Sequence, residues 1–172
     1  MRIRNAVLDD AGALLDIYAY YVINTAVTFE YDVPSLDEFR DRMRNIRKKY
    51  PYLVLEEDGV IRGYAYAGPF VGRAAYNHSC ELTVYLDKDS RGRGYGKMLY
   101  EELEKELKAM DILNLYARIG SPEVEDEYLT KNSERFHQRM GFIKAGEFHK
   151  CGYKFGRWYD MICMEKLIGE HK

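Results

Sequence analysis

The sequence predicts a single domain of the α/β (α+β) class, and three observations carry that prediction. Its 172 residues suit one domain, because compact domains usually run about 100 to 200 residues. Alternating apolar runs, the signature of strands, take turns along the chain with apolar residues at helical spacing. The composition, 47% apolar, 14% aromatic and 31% charged, is that of a chain with enough apolar surface to build a core.

The elements follow in order. Ile3 to Val7 alternates as a strand does, and after Asp9 and Asp10 the residues Leu14, Ile17, Tyr18 and Tyr21 mark one face of a helix with an acidic start. Ser35-Leu36-Asp37-Glu38 is a capping box, in which Ser35 and Glu38 can satisfy each other's orphan amides. Leu36, Phe39, Met43 and Ile46 then form the apolar stripe of a second helix. Ala26 to Tyr31, between the helices, is too apolar for an idle linker. Tyr52 to Glu56 and Ile61 to Ala67 are strand-like and flank Asp58-Gly59, a pair suited to a tight hairpin turn. A further strand, Cys80 to Leu86, runs through Asp87–Ser90 into Arg91-Gly92-Arg93-Gly94-Tyr95-Gly96-Lys97. Leu99, Leu103, Leu107 and Met110 continue as an amphipathic helix. Ile112 to Ile119 is the next strand, followed by an acidic stretch, a short helix near Asn132–Met140 closed by Gly141, and two antiparallel strands around Lys154-Phe155-Gly156.

Charge and cysteine usage exclude several classes of function. Twenty-six basic against 28 acidic residues leave a net charge of -2, so no global positive field draws the chain to nucleic acid or anionic lipid. Cys80, Cys151 and Cys163 are odd in number and lack a C-x-x-C pair, which argues against a disulfide framework or zinc site and predicts a reducing compartment. No run reaches the roughly 18 to 20 apolar residues needed to span a bilayer, and no signal-peptide core follows Met1. The expected location is the cytoplasm, with no metal, membrane or nucleic-acid partner.

The glycine-rich segment is the first candidate site. A strand, three glycines and a helix start present backbone N–H groups and a positive helix end to a phosphate, with Arg91, Arg93 and Lys97 adding charge. It is not a P-loop, because Met98 stands where a metal-binding Ser or Thr belongs, and Lys97 replaces the third glycine of a dinucleotide fingerprint. Taken alone, the same residues also fit a plain turn with solvated basic side chains.

The spacing Arg91-x-x-Gly94-x-Gly96 resembles the pyrophosphate loop of the GNAT acetyltransferase superfamily. Ser133-x-x-x-His137-x-x-x-Gly141-Phe142 resembles that superfamily's helix after the fifth strand. More narrowly, the chain is similar to the phosphinothricin N-acetyltransferase family from about Ile3 to Glu165. The residues carrying this are Thr28-Phe29-Glu30, Tyr66–Phe70 with Arg73 and Tyr76, Glu81–Tyr85, and Gly152–Asp160. The resemblance implies the GNAT fold, a mixed and strongly bent central β-sheet with helices on both faces. It also implies acetyl-CoA between the fourth and fifth strands and, usually, a homodimer. The acidic insertion after Pro122 and the Asn132-Ser133 pair depart from the family pattern, which bears on the substrate more than on the cofactor.

Acetyl transfer to an amine needs a neutral nucleophile, a polarised thioester carbonyl and a proton for the leaving thiolate. Glu81 shares a strand face with Thr83 and Tyr85, while Leu82, Val84 and Leu86 take the other. By residue type alone Glu81 is a salt-bridged carboxylate; by resemblance it matches the general base, with Glu30 as second choice. The resemblance also places His137 near the acetyl-CoA sulfur as a hydrogen-bonding proton donor. It assigns the cofactor to Val84 and Leu86, to Arg91, Gly92, Arg93, Gly94, Tyr95, Gly96 and Lys97, and to Asn132 and Ser133. It gives the substrate Phe29, Glu30, Arg73 and Tyr76, the guanidinium of Arg73 gripping a carboxylate. Trp158 is a further candidate for the pocket wall. Cys80 points away from Glu81 and has no base beside it, so covalent catalysis is disfavoured. The implied activity is direct, ternary-complex acetylation of the amino group of a small amino acid or analogue such as phosphinothricin or methionine sulfoximine. The rivals are acetylation of a polyamine or a protein N-terminus, and a non-catalytic CoA-binding module.

Overall fold

The strand signals in the first half of the chain condense into a meander. In the computed structural model, which describes residues 1–172, β1 (Arg2–Asn5), β2 (Tyr52–Glu57), β3 (Val60–Pro69) and β4 (Ser79–Leu86) pair antiparallel in that order. Asp58 and Gly59 join β2 to β3 with φ of 53° and 77°, the two positive values that a two-residue hairpin turn requires. β1 stops at Asn5, earlier than the alternation suggests, because the Val7 N–H turns to donate to the Asp10 carboxylate at 2.8 Å.

The second half adds β5 (Asn114–Ser121), β6 (Ile143–Lys154) and β7 (Arg157–Leu167), giving a seven-stranded sheet of order β1-β2-β3-β4-β5-β7-β6. β4 and β5 are the one parallel pair, so the sheet is mixed. β5 begins at Asn114 rather than Ile112, because the Ile112 N–H closes the preceding helix on the Leu107 carbonyl. Phe155 and Gly156, at φ of 54° and 70°, turn the final hairpin.

Helices cover both faces. α1 (Ala11–Asn24) and α2 (Leu36–Arg47) pack Leu14, Tyr18, Val22, Phe39 and Met43 against Tyr52, Val54 and Tyr64. On the opposite face α3 (Tyr95–Ala109) sets Leu99, Leu103 and Leu107 over Leu53, Leu55, Cys80 and Leu82. β2 is therefore buried on both sides, which explains why its sequence is a continuous apolar run. The capping box forms as expected: Ser35 Oγ accepts from the Glu38 N–H at 3.1 Å, and Glu38 accepts from the Ser35 N–H at 3.0 Å. α4 (Asn132–Arg139) lies beyond β5. No helix is long and apolar enough to cross a membrane.

The feature that positions the site is the junction of β4 and β5. Their pairing covers only Ser79–Asn114, Cys80–Leu115 and Glu81–Tyr116, although β4 continues to Leu86 and β5 to Ser121. Beyond Glu81 the two strands part, and the sheet is open at its middle.

Candidate active site

The opening leads into a cavity of about 660 Å³ walled by α1, β4, β5, the segment before α3 and the face of α4. Hydrogen-bond parity decides which backbone groups point into it. The Asp87 N–H donates to the Arg62 carbonyl at 2.8 Å, so odd-numbered residues of β4 bond to β3 and even-numbered ones turn toward the opening. Val84 and Leu86 thus turn their main-chain groups toward the opening. The Leu86 carbonyl already accepts from the Tyr21 hydroxyl, 2.5 Å away.

At one end of the cavity lies the glycine segment. Gly92 and Gly94 adopt φ of 77° and 81°, a left-handed conformation that costs other residues energy, and they wrap the chain around the start of α3. The amides of Tyr95, Gly96 and Lys97 occupy the first helical turn, where no intrahelical acceptor exists. Arg91 and Gly92 line the cavity, and Arg91 is braced by its Nε–H donating to the Lys88 carbonyl at 3.2 Å. The other side chains do not face the cavity. Arg93 is held by Glu57 at 3.1 and 3.3 Å, and Tyr95 donates to the same carboxylate at 2.7 Å. Lys97 sits outside on α3, 3.7 Å from Glu101. Gly96 lines the cavity for a packing reason, because a Cβ there would lie 3.2 Å from the Phe136 ring. The segment thus meets the cavity through Arg91, Gly92 and Gly96, with Arg93 and Tyr95 anchoring it to the end of β2.

At the other end, Glu81 stands where β4 and β5 separate. Burial raises its carboxyl pKa, and the Arg118 guanidinium, with Nε 3.4 Å from Oε2, offsets part of that rise. Glu30 also lines the cavity, yet its surroundings differ. Arg42 binds both its oxygens, at 2.5 and 3.0 Å, and the Tyr18 hydroxyl donates to it at 2.6 Å. The Arg42 hydrogen bond holds the Glu30 pKa below the ordinary carboxylate value. A carboxylate so occupied is a weaker base than a free one, which argues against Glu30 in that role. Cys80 faces α3, where burial pushes its thiol pKa to about 12.

His137 is buried in the α4 wall. Nδ1 lies 2.7 Å from the Ser133 carbonyl and Nε2 lies 2.9 Å from the Tyr100 hydroxyl. A carbonyl only accepts, so Nδ1 carries the proton, Nε2 accepts, and Tyr100 donates. Burial lowers the His137 pKa to about 4. The ring is neutral with both nitrogens engaged, so it has no proton to give directly to a thiolate and instead fixes the Tyr100 hydroxyl, which also lines the cavity. Asn132 and Ser133 lie on the cavity wall at the start of α4.

The fold agrees with comparisons to known proteins. Residues 3–163 match the acetyltransferase (GNAT) domain. The chain belongs to the GNAT acetyltransferases. It is 34% identical over 161 residues to phosphinothricin N-acetyltransferase of Streptomyces viridochromogenes, covering 94% of this chain and 84% of that protein. It is 31% identical over 173 residues to the L-methionine sulfoximine/L-methionine sulfone acetyltransferase of Salmonella typhimurium, covering 99% of this chain and 96% of that one. Among solved structures, a phosphinothricin acetyltransferase of the GNAT superfamily from Sinorhizobium meliloti, in complex with AcCoA, aligns with a TM-score of 0.89 at 35% identity, over 98% of this chain and 88% of the other.

In this acetyltransferase the Glu81 end of the cavity is assembled from distant segments, and several expectations change there. Arg73 and Tyr76 lie in an exposed turn after β3 and are not part of the cavity wall; Tyr76 packs edge-on against Phe70. Trp158 is exposed on β7 against Tyr153, away from the wall. Phe29 does line the cavity, filling the space that a side chain at Gly152 would need; a Cβ there would come within 2.6 Å of its ring. The acidic insertion is ordered by its own charges. Asp126 accepts from the amides of Tyr128 and Leu129 at 2.8 Å and from Tyr159 at 2.7 Å, and Glu127 pairs with Arg157. It thereby places Leu129 and Thr130 on the cavity wall.

Sequence reasoning missed Arg118, Tyr100 and Lys154. Lys154 is buried and donates to the carbonyls of Val22, Thr25 and Thr28 at 2.8, 2.8 and 2.9 Å. Three acceptors around one nitrogen use all three protons of an ammonium, and they tie the Thr28–Glu30 loop to β6. A lysine two residues before a turn glycine carries no local sign of this. Arg118 did carry one, an arginine interrupting the apolar run of β5.

Proposed function

We propose that this protein transfers the acetyl group of acetyl-CoA to the α-amino group of a small amino acid or analogue, of the phosphinothricin or methionine sulfoximine type, directly within a ternary complex. The observation that carries the reading is the parting of β4 and β5 with a desolvated carboxylate, Glu81, where they separate. The cavity suits the cosubstrate along its length: free first-turn amides and Arg91 for the pyrophosphate, the even-numbered edge of β4 for the pantetheine amides, and Asn132 and Ser133 beside them. Acetyl-CoA supplies the activated acetyl group.

In this reading Glu81, directly or through water, takes the proton of the incoming ammonium, and its raised pKa makes it a better base than an exposed glutamate. Tyr100, oriented by neutral His137, presents its oxygen to the cavity. Phe29, Leu129 and Thr130 bound the amine side, and Glu30 with Arg42 closes it. Arginines at positions 42, 91, 118 and 139 on the cavity wall weigh against a polyamine. Three free cysteines fit the cytoplasm, and the exposed Phe148, Tyr153 and Trp158 of β6 and β7 offer an apolar face for a homodimer, to be tested by light scattering.

Measuring CoA release with phosphinothricin, methionine sulfone, other amino acids, polyamines and N-terminal peptides tests the reading. Turnover is expected for the free amino acids. Preferential turnover of polyamines or peptides overturns the substrate class, and acetyl-CoA binding without release of CoA for any amine makes the protein a binding module.

A further inference from the structure

We propose that Arg118 is the residue that grips the substrate carboxylate, side by side with Glu81, so that the two side chains together select an α-amino acid. The inference rests on the amino-acid reading above and names the determinant of that specificity. An α-amino acid carries its amine and carboxylate on one carbon, so a site that engages both needs an acceptor and a cation in direct contact. Glu81 and Arg118 are in such contact at 3.4 Å, and both line the cavity. Arg73 does neither.

The guanidinium is set for a further ligand. Its Nη2–H donates to the Phe70 carbonyl at 3.2 Å, its Cζ lies 5.7 Å from the centre of the Phe70 ring, and its Nε approaches Glu81. Neither polar contact uses Nη1. The Glu81 contact is long for a hydrogen bond, so part of the donor capacity on that side is also open. The second guanidinium–carboxylate pair on the wall, Arg42 with Glu30, is closed by contrast: two short hydrogen bonds join the partners, and Tyr18 adds a third to the carboxylate. Arg118 is thus an arginine on the cavity wall, held by a carbonyl and a ring, whose Nη1 has no partner. A bound carboxylate would share its charge and leave Glu81 more basic as the amine arrives.

The test compares L-methionine sulfone with its decarboxylated counterpart, an amine identical except for the missing carboxylate, in the parent protein and in Arg118→Gln. The expected result is a KM for the amino acid raised at least about tenfold, the loss of a hydrogen bond between charged groups. The KM of the decarboxylated amine should change little, so that any change in Glu81 basicity, which acts on both amines alike, cancels in their ratio. An unchanged acetyl-CoA affinity by calorimetry, together with an unchanged melting temperature, shows that the variant is folded. Equal losses for the two amines overturn the assignment, as does a larger change in their ratio from Arg73→Gln than from Arg118→Gln. If the parent acetylates methionine sulfone and Arg118→Gln leaves the ratio unaltered, only this inference falls. If the parent acetylates neither amino acids nor their analogues, the amino-acid reading falls with it.

Discussion

Two carboxylate–arginine pairs face the same cavity and are bonded differently. Glu30 and Arg42 meet through two hydrogen bonds, with Tyr18 as a third donor, and the carboxyl pKa is pulled down. Glu81 and Arg118 meet through one longer contact, and burial outweighs the arginine so that the carboxyl pKa is pushed up. Residue types are identical, so the difference comes from what each partner is already bound to. A saturated pair is a fastener between α2 and the loop after α1, whereas an unsaturated pair keeps capacity for a ligand. Position follows the same division, since Glu30 sits on a loop and Glu81 on a central strand where its neighbours end.

The largest expected effect comes from exchanging the carboxylates for amides. Glu81→Gln keeps volume but cannot accept a proton, and kcat should fall about a hundredfold to ten-thousandfold with acetyl-CoA affinity intact. Glu30→Gln should cost no more than about tenfold, chiefly in the KM of the amine, as befits a partly exposed ion pair. Steady-state kinetics on both variants, with calorimetry for acetyl-CoA, decide the matter. Similar losses in the two would erase the distinction between fastener and base.

A smaller effect tests the fastening itself. Lys154→Met keeps the aliphatic stem but strips the carbonyls of Val22, Thr25 and Thr28 of their donor. The expected cost is about 3 kcal/mol in urea unfolding. The Thr28–Glu30 loop loses its anchor, so the KM of the amine should rise while that of acetyl-CoA stays near the parent value. If the acetyl-CoA KM rises equally, the loop serves the whole cleft and the two ends are not separable.

The mildest test is pH. The Glu81 pKa is raised, so kcat/KM should fall with acidity at a pH above the ordinary carboxylate range, as the base is protonated. Removing the cation in Arg118→Gln removes the offset, so the acid limb should move higher still. Glu30 has the opposite sign: its lowered pKa lends stability that is fully present above its ordinary value and is lost only as pH falls below it. Kinetic profiles set beside melting curves over the same range therefore separate the two groups. An acid limb that stays in place in Arg118→Gln would mean that another group controls it.

How much of this was readable in advance depends on how far apart the cooperating residues lie. The capping box at Ser35, the Asp58-Gly59 turn and the strand–glycine–helix order around Gly94 are local, since each is made by residues a few positions apart whose own backbone preferences or side-chain reach produce the structure. The glycine segment was legible for that reason, although the roles of its side chains were not: Arg93 and Tyr95 meet Glu57 across 36 and 38 residues. His137 was legible as a position but not as a neutral ring, because its neutrality depends on burial in the folded interior.

The sequence by itself determined the fold class, the order of elements, the glycine turn at the start of α3 and the strand face of Glu81, all set by periodicity and short-range hydrogen bonding. Only the tertiary structure decided which arginine meets Glu81, that Glu30 is spent on Arg42, and that Lys154 holds the loop between α1 and α2. Those outcomes depend on where β4 and β5 part and on which side chains the sheet order brings together. Side-chain pairing across 12 to 132 residues is settled by competition for hydrogen-bond partners in the folded interior, where an unpaired charge is costly, and no local pattern records the winner.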